Sequence, residues 1–418
     1  MGVSIVEGSK VAAIIEGLGT LADEIGAQNH LIAHQNAAID LLASDKRAGL
    51  VEDVEAVAEL SKSGEILEVM DYGDQIAPAW SDGTTEYAPA MNLCHVGDAE
   101  LEDGETVHGT FFEWDKATPA GVAYDAPEAL YHFDGTEEPG DYYITIGMNY
   151  GDGWVAGQSI QFTLSEAPAE GDQLVVNCGD NNTNNPTNGR TWNVYAKGST
   201  EVKQTGTTSN GMSGTKLGET NGTGTDKTNG RVNAPQRIVY GYNRWAQSAL
   251  RQYLNSAAAA GAWWTAQNPW DRPPAQHSVV RGLLAGYDAD VVKYFKPIKV
   301  VTVTCNADGN VEDVTYDRVF LSSLEQMYCV PQFAGKEGEY WEYYKRLLGR
   351  TSPAPTSATY KRLIKYALNA PTSAQSVFHR SAARANANYV WFVYSYGSVS
   401  ATNALTASRC APSVFLSK

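Results

Sequence analysis

The chain has 418 residues and a mass of 45.2 kDa, more than one ordinary core holds, so two or three domains are expected. Its formal net charge of −17 argues against general nucleic-acid binding, and no stretch approaches the ~20 uncharged apolar residues of a membrane helix. Charged residues are only 19% while there are 23 Tyr and 10 Trp, the charge-poor, aromatic composition of recognition surfaces rather than of a typical cytosolic enzyme.

From the N-terminus, Met1-Gly2-Val3-Ser4 lacks the basic-then-apolar build of a secretory leader. Residues 8–44 then repeat in sevens. Val11, Leu18, Ile25, Ile32 and Ile39 fall on one seam, and Ile14, Leu21, Gln28, Gln35 and Leu42 on the other. Alternating 3-4 spacing over more than four heptads predicts an α-helical coiled coil, and Ile-rich seams with a buried amide layer favour three strands. Residues 1–66 are therefore read as a helical trimerisation anchor, with a second short helix over Val51–Leu60.

Residues 67–168 change character. Short strand-like runs, Thr106–Trp114, Tyr142–Met148 and Ser159–Leu164, alternate with Gly, Pro and Asp turns, which predicts an all-β domain, a sandwich or jelly roll. Acidic residues outnumber basic ones 33 to 5 over residues 1–172, and the ratio is 15 to 26 over 173–418, so two regions with different surroundings are expected. His95, His108 and His132 match no metal spacing.

Residues 169–418 form the third unit. Its loop-rich insert, 179–230, is 31 parts in 52 Gly, Asn or Thr and buries little. Trp192–Tyr195 is a strand-like island within it. Beyond lie helical stretches at Ser248–Ser256, Ser322–Tyr328 and Glu339–Leu347, a strand at Lys299–Thr304, and a C-terminal set of strands and loops. Ser322 with Glu325 reads as a capping box. The five cysteines, Cys94, Cys178, Cys305, Cys329 and Cys410, are odd in number and lack C-x-x-C spacing, which predicts reduced, mostly buried thiols. No EF-hand, HExxH, G-x-S-x-G or phosphate loop occurs, so no catalytic residue, metal or cofactor is expected.

The most informative stretch is Arg380–Pro412. Read as a strand, Val390–Ser400 places Trp391, Val393, Ser395, Gly397 and Val399 on one face, and Phe392, Tyr394, Tyr396, Ser398 and Ser400 on the other. The first set suits a core and the second a binding face. Twenty of the 28 residues 381–408 are Ala, Ser, Asn, Tyr or Thr, and none is Lys, Glu, Gln, Met or Asp. Base changes at the first two positions of Asn codons yield such a set, apart from Trp391.

Arg380-Ser381-Ala382, Tyr389-Val390-Trp391, Gly397-Ser398-Val399 and Arg409-Cys410-Ala411-Pro412 resemble the end of a domain family of gut bacteria and their phages. Tyr240–Trp245, Trp263-Trp264, Phe320–Tyr328 and Tyr340-Trp341-Glu342 fit the same family. Tyr72–Ile76, Trp114 and Ala126–Ala129 resemble its usual companion. The resemblance implies an α+β C-type-lectin-like fold at the C-terminus, of the kind diversified by retroelements, with 383–408 as the candidate variable region. The ligand-binding residues it implies are Asn386, Asn388, Tyr389, Phe392, Tyr394, Tyr396, Ser398, Ser400, Thr402, Asn403 and Thr406. The expected whole is a homotrimeric virion fibre or adhesin, made in the host cytoplasm and displayed on the virion surface. It would touch other virion proteins through its N-terminal region and a bacterial surface protein or glycan through its variable face, without nucleic acid or membrane insertion. The alternatives are a purely structural capsid or tail decoration protein, and an enzyme of the formylglycine-generating type, which would need a pair of nearby cysteines.

Overall fold

The antiparallel pair Met91–Glu100 and Thr106–Trp114 is the longest among the described residues, and it organises a sheet that draws on both ends of the chain. The computed structural model describes residues 16–29, 32, 50–51, 53–146, 157–176, 188–219, 234–329, 336–349, 352 and 361–418. In the six-stranded sheet the order is Leu50–Val51, Gln75–Ile76, Met91–Glu100, Thr106–Trp114, Ser413–Leu416 and Val319–Phe320. The last strand of the chain thus lies between a strand from its first third and one from its last. All four residues of Ser413–Leu416 are buried. Gly109 is required at this seam, because a Cβ there would sit 2.5 Å from both the Leu416 carbonyl and the Phe415 ring.

Helix Val54–Ser63 covers one face of that sheet. Asp53 caps it by accepting the Ala56 N–H at 3.0 Å, and Gly64 ends it in a left-handed conformation. Val54, Val57, Ala58 and Ser61 recur at helical spacing on its buried side. Helix and sheet share one large core that includes Trp114, Trp245, Trp341, Phe112, Phe295 and Phe320. This core runs from Val54 to Tyr124 and resumes from Trp245 to Leu416.

A second core lies between these two stretches of chain. It is built on a three-stranded sheet, Ser159–Leu164, Gly140–Thr145 and Thr215–Glu219, and a four-stranded one, Val202–Thr207, Thr191–Tyr195, Gln173–Val176 and Tyr131–His132. Phe133, Ile144, Ile160, Phe162, Leu174, Trp192 and Val194 fill it, and Ile238, Val239 and Tyr240 close it. The chain leaves the main body after Tyr124 and re-enters it near Tyr242, so the small module is an insertion.

These observations correct the sequence reading in three places. First, the molecule is mostly β with short helices, and no long N-terminal coiled coil is evident. Among the described residues the N-terminal helix covers 16–29 and residue 32. Its seam residues Leu18, Leu21, Ile25 and Ile32 are 49–60% exposed, and Gln28 is exposed too. Gly17, Gly19 and Gly26 each weaken such a helix by about 1 kcal/mol. Val11, Ile14, Gln35, Ile39 and Leu42 lie outside the described residues. Second, the strands expected in one all-β middle domain divide between the two cores: Thr106–Trp114 pairs with the C-terminal strand, while Ser159–Leu164 pairs with Gly140–Thr145 in the small module. The acidic front therefore shares a core with the basic back. Third, the described parts of the 179–230 insert contribute three strands to the small module, with Trp192 and Val194 supplying their apolar contacts.

Candidate ligand-binding face

A five-stranded sheet carries the expected variable region. Its order is Val399–Asn403, Tyr389–Val393, Val377–Ala382, Ala407–Cys410 and Val122–Ala123. Tyr389–Val393 and Val399–Asn403 form an antiparallel hairpin at its edge, pairing Tyr389 with Asn403, Trp391 with Ala401 and Phe392 with Ser400.

The strand is shorter than the sequence predicts, ending at Val393. Tyr394 to Ser398 form the turn, closed by Tyr394 N–H to Ser398 O (2.8 Å) and Gly397 N–H to Tyr394 O (2.8 Å). Gly397 has φ +92°, which only glycine adopts without strain. Val393 and Val399 of the expected inward set are buried, whereas Trp391 and Phe392 exchange roles. Phe392 is 4% exposed and pairs with the buried Phe378, which packs edge-on against Tyr124. Trp391, expected in the core, is half-buried on the opposite face with Tyr389, Ala401 and Asn403. Phe392 and its neighbour Val393 are both buried, so strict alternation does not decide burial here; Phe378 on the adjacent strand covers Phe392.

The expected site residues fall into two groups at opposite ends of the hairpin, about 14 Å apart for a five-residue strand. At the turn, Phe392, Tyr394 and Tyr396 form a ladder of rings from core to solvent. Phe392 meets Tyr394 edge-on at 4.3 Å between centroids, and Tyr394 stacks on Tyr396 at 4.8 Å and 12°. Tyr396 is 56% exposed. Ser398 and Ser400 are half-buried beside them.

At the other end lie Asn386, Asn388, Tyr389, Thr402, Asn403 and Thr406. Asn388 is a correction: it is buried, and its Nδ2 donates to Asn403 Oδ1 at 2.6 Å. The loops here are held by main-chain bonds, Ala383 N–H to Tyr389 O, Ala404 N–H to Asn388 O, Leu405 N–H to Tyr240 O and Thr406 N–H to Asn403 O. Asn243, outside the variable region, clamps them through Nδ2 to the carbonyls of Asn386 (2.7 Å) and Tyr389 (2.8 Å). Sequence reading missed Asn243 as a support, although it stands in the motif Tyr240–Trp245. Arg384, the one charged residue of 381–408, is exposed and reaches Asn306.

Behind this sheet lies a buried polar network. Arg380 donates to Leu321 O, Gln326 Oε1 and the Glu337 carbonyl. Glu337 accepts from Val303 N–H and Ser381 Oγ. Burial lowers Arg380 to about 10 and His379 to about 4; His379 Nδ1 lies against Ser322. Burial opposes ionisation of Glu113, but Lys365 at 3.0 Å and the Tyr344 hydroxyl outweigh it and hold the carboxyl below its usual range. Burial also pushes Cys410 up to about 12, away from the thiolate that cysteine-based oxidation chemistry needs. Cys94, Cys305 and Cys329 are likewise buried; Cys178 lies outside the described residues.

Residues 225–415 match a family model described as Domain of unknown function (DUF6273). The match takes in the whole hairpin and the strands Val377–Ala382 and Ala407–Cys410 beside it, but not Val122–Ala123, Met91–Glu100 or Thr106–Trp114. No curated protein and no solved structure matches the chain.

Proposed function

We propose that this chain is a bacteriophage virion protein, a fibre or adhesin, that presents a C-type-lectin-like domain to a bacterial surface protein or glycan. The observation that carries this reading is the way the loops around the hairpin are held. Most of their bonds run between main-chain groups or to Asn243, with the Asn388–Asn403 pair as a side-chain bond, while Tyr396 and Leu405 point side chains outward. Side chains such as Tyr396 and Leu405 can change without loss of a framing bond, which suits a display surface rewritten by a retroelement. Tyr, Ser and Asn on a nearly uncharged surface supply contact area and adaptable hydrogen bonds. Several copies per particle, a homotrimer in this reading, raise weak single-site binding through effective concentration.

The test is binding of the purified protein to cells of a bacterial panel, by flow cytometry, for wild type and a Tyr396→Ala/Leu405→Ser variant. The reading expects a strain-selective signal that the variant loses at unchanged melting temperature. A wild-type protein that labels no strain, or a variant as active as wild type, favours the purely structural decoration role.

A further inference from the structure

A cleft of about 890 Å³ opens on the opposite wall of the Arg380 network, away from the hairpin turn, and its geometry is that of two strand edges that meet at one end and part at the other. Strand Met91–Glu100 and strand Ile298–Val303 touch at the single bridge Leu101–Ile298. Beyond the bridge they diverge. On its far side the first is paired with Thr106–Trp114, and on its near side Gln75–Ile76 covers only its start, at Met91 and Asn92; the second is paired with Glu312–Asp317, and among the described residues no ladder covers the edges from Val96 to Asp98 and at Val301.

The direction of the main-chain groups follows from the bonds at the strand ends. Leu101 N–H goes to Glu105 O within its hairpin, so the two-residue period turns the peptide groups of Val96 and Asp98 the other way, to the cleft. Thr304 N–H goes to Val311 O within its own hairpin, whereas Val303 N–H leaves the ladder for Glu337 Oε1 at 3.0 Å. The same period turns Val301 toward the cleft. Two free edges of strand therefore face one space, the arrangement that accepts an added strand.

The charges in that space are not balanced. Lys299 is paired with Glu100, Lys336 with Glu312 and Lys345 with Glu342, all within 3.0 Å. Asp98 is paired with His108. Arg380 faces the buried Glu337, and Glu325, whose pKa burial raises, makes no ion pair among the described residues and accepts the Glu337 N–H at 3.2 Å. Glu339 is 89% exposed and lies 3.7 Å from His95, whose imidazole burial holds below its usual range and so largely neutral near pH 7. Phe111, Phe320, Tyr340 and Trp341 form the apolar part of the lining.

The floor is held rigidly. Ser323 Oγ accepts from Gln326 N–H while Gln326 Oε1 accepts from Ser323 N–H, both at 3.1 Å, a reciprocal cap one residue downstream of the one read from sequence. The turn ends at Tyr328, a bulky residue at φ +59° whose ring meets Tyr340 edge-on. Such a conformation costs about 1–3 kcal/mol and persists where surrounding structure imposes it.

We infer that this cleft binds an extended peptide segment of a partner protein by strand addition, and that Glu325 and Glu339 receive a Lys or Arg side chain from it. The free peptide groups of Val96, Asp98 and Val301 supply the main-chain bonds. The two carboxylates supply the preference for a cation, and the aromatic lining takes its methylene stem.

The experiment uses the full chain and a fluorophore-labelled five-residue peptide alternating Thr and Val around a central Lys. Fluorescence anisotropy is expected to show saturable binding with Kd below about 1 mM. The same peptide with central Glu, or with N-methylated peptide groups, is expected to bind at least roughly tenfold more weakly. Glu339→Lys, at an exposed position that does not threaten folding, should reverse the Lys-over-Glu order. Equal affinity for the Lys and Glu peptides, equal affinity for the methylated peptide, or no saturable binding overturns the inference. Tyr396→Ala, which tests the hairpin face, should leave peptide binding unchanged; loss of binding in that variant would place the peptide on the hairpin and overturn the cleft assignment.

Discussion

Tyr394 and Tyr396 lie ring on ring, 4.8 Å between centroids and 12° from parallel, at the tip of a hairpin whose next inward ring is Phe392. The outermost ring is supported from beneath by a chain of contacts that ends in the core. A tyrosine held this way loses little further freedom on binding, which is the economy of a rigid aromatic anchor.

That ladder yields graded expectations. Phe392→Ala removes a buried ring and should destabilise the protein by about 3–5 kcal/mol, with the melting temperature as readout. Tyr396→Ala removes a mostly exposed ring and should change stability by no more than about 0.5 kcal/mol. If Tyr396 anchors a ligand, its loss should weaken cell binding by about 2 kcal/mol or more. Trp391→Ala, at a half-buried position, should fall between the two in stability. A Trp391 variant that unfolds as readily as the Phe392 variant would contradict the inward face assigned here.

His379 gives a pH expectation with a definite sign. Burial lowers its pKa to about 4 in the folded chain, against about 6.5 when unfolded. Between these values the unfolded chain takes up a proton that the folded chain refuses, so acidification favours unfolding. The loss from this group should begin near pH 6.5 and approach about 3 kcal/mol by pH 4. Asp271, raised by burial to about 6, works in the opposite direction over the same range. The measurement is therefore the difference between wild type and His379→Gln in urea unfolding at pH 7 and pH 4.5, and the variant should lose less stability on acidification.

Thiol reactivity tests the burial of the cysteines. Cys94, Cys305, Cys329 and Cys410 are buried, and burial pushes Cys305 and Cys410 up to about 12. Iodoacetamide at pH 8 should leave these four unmodified in the native protein and label all five cysteines after denaturation, with mass spectrometry of peptides as the count. Labelling of native Cys410 would reopen the reading as a cysteine-dependent oxidising enzyme.

Much of the local structure was legible in the sequence. The strands Thr106–Trp114 and Ser159–Leu164 have the bounds that their turn signals predict, and Ser248 caps its helix by accepting the Arg251 N–H. What sequence could not supply is what lies across from a strand. Period two groups Trp391 with Val393 and Phe392 with Tyr394, but it does not say that Phe378 stands beside Phe392 and draws it inward. The pairing of Ser413–Leu416 with Thr106–Trp114 spans some three hundred residues, and that pairing dissolves the domain boundary that composition implied. The cleft was invisible for the same reason, since it is made of the edges of two strands that are remote in sequence.

The same long reach makes the last expectation. Glu113 and Lys365 form a buried ion pair at 3.0 Å, with the Tyr344 hydroxyl on the carboxylate and the Lys365 ammonium also donating to the Trp114 carbonyl at 2.8 Å. Glu113 sits on the strand that pairs with the C-terminal strand, and Lys365 begins the hairpin Lys365–Ala367 with Ala370–Gln375. Removing the amine alone, in Lys365→Met, leaves a carboxylate at 0% exposure with only neutral donors, and should cost about 3–5 kcal/mol. Glu113→Gln alone strands the ammonium and should cost a similar amount. The double variant removes both charges and should be less destabilised than the sum of the two, with a coupling of about 1–3 kcal/mol in a denaturation cycle. Additive single effects would mean that the pair contributes nothing as a pair, and that the hairpin is held there by packing alone.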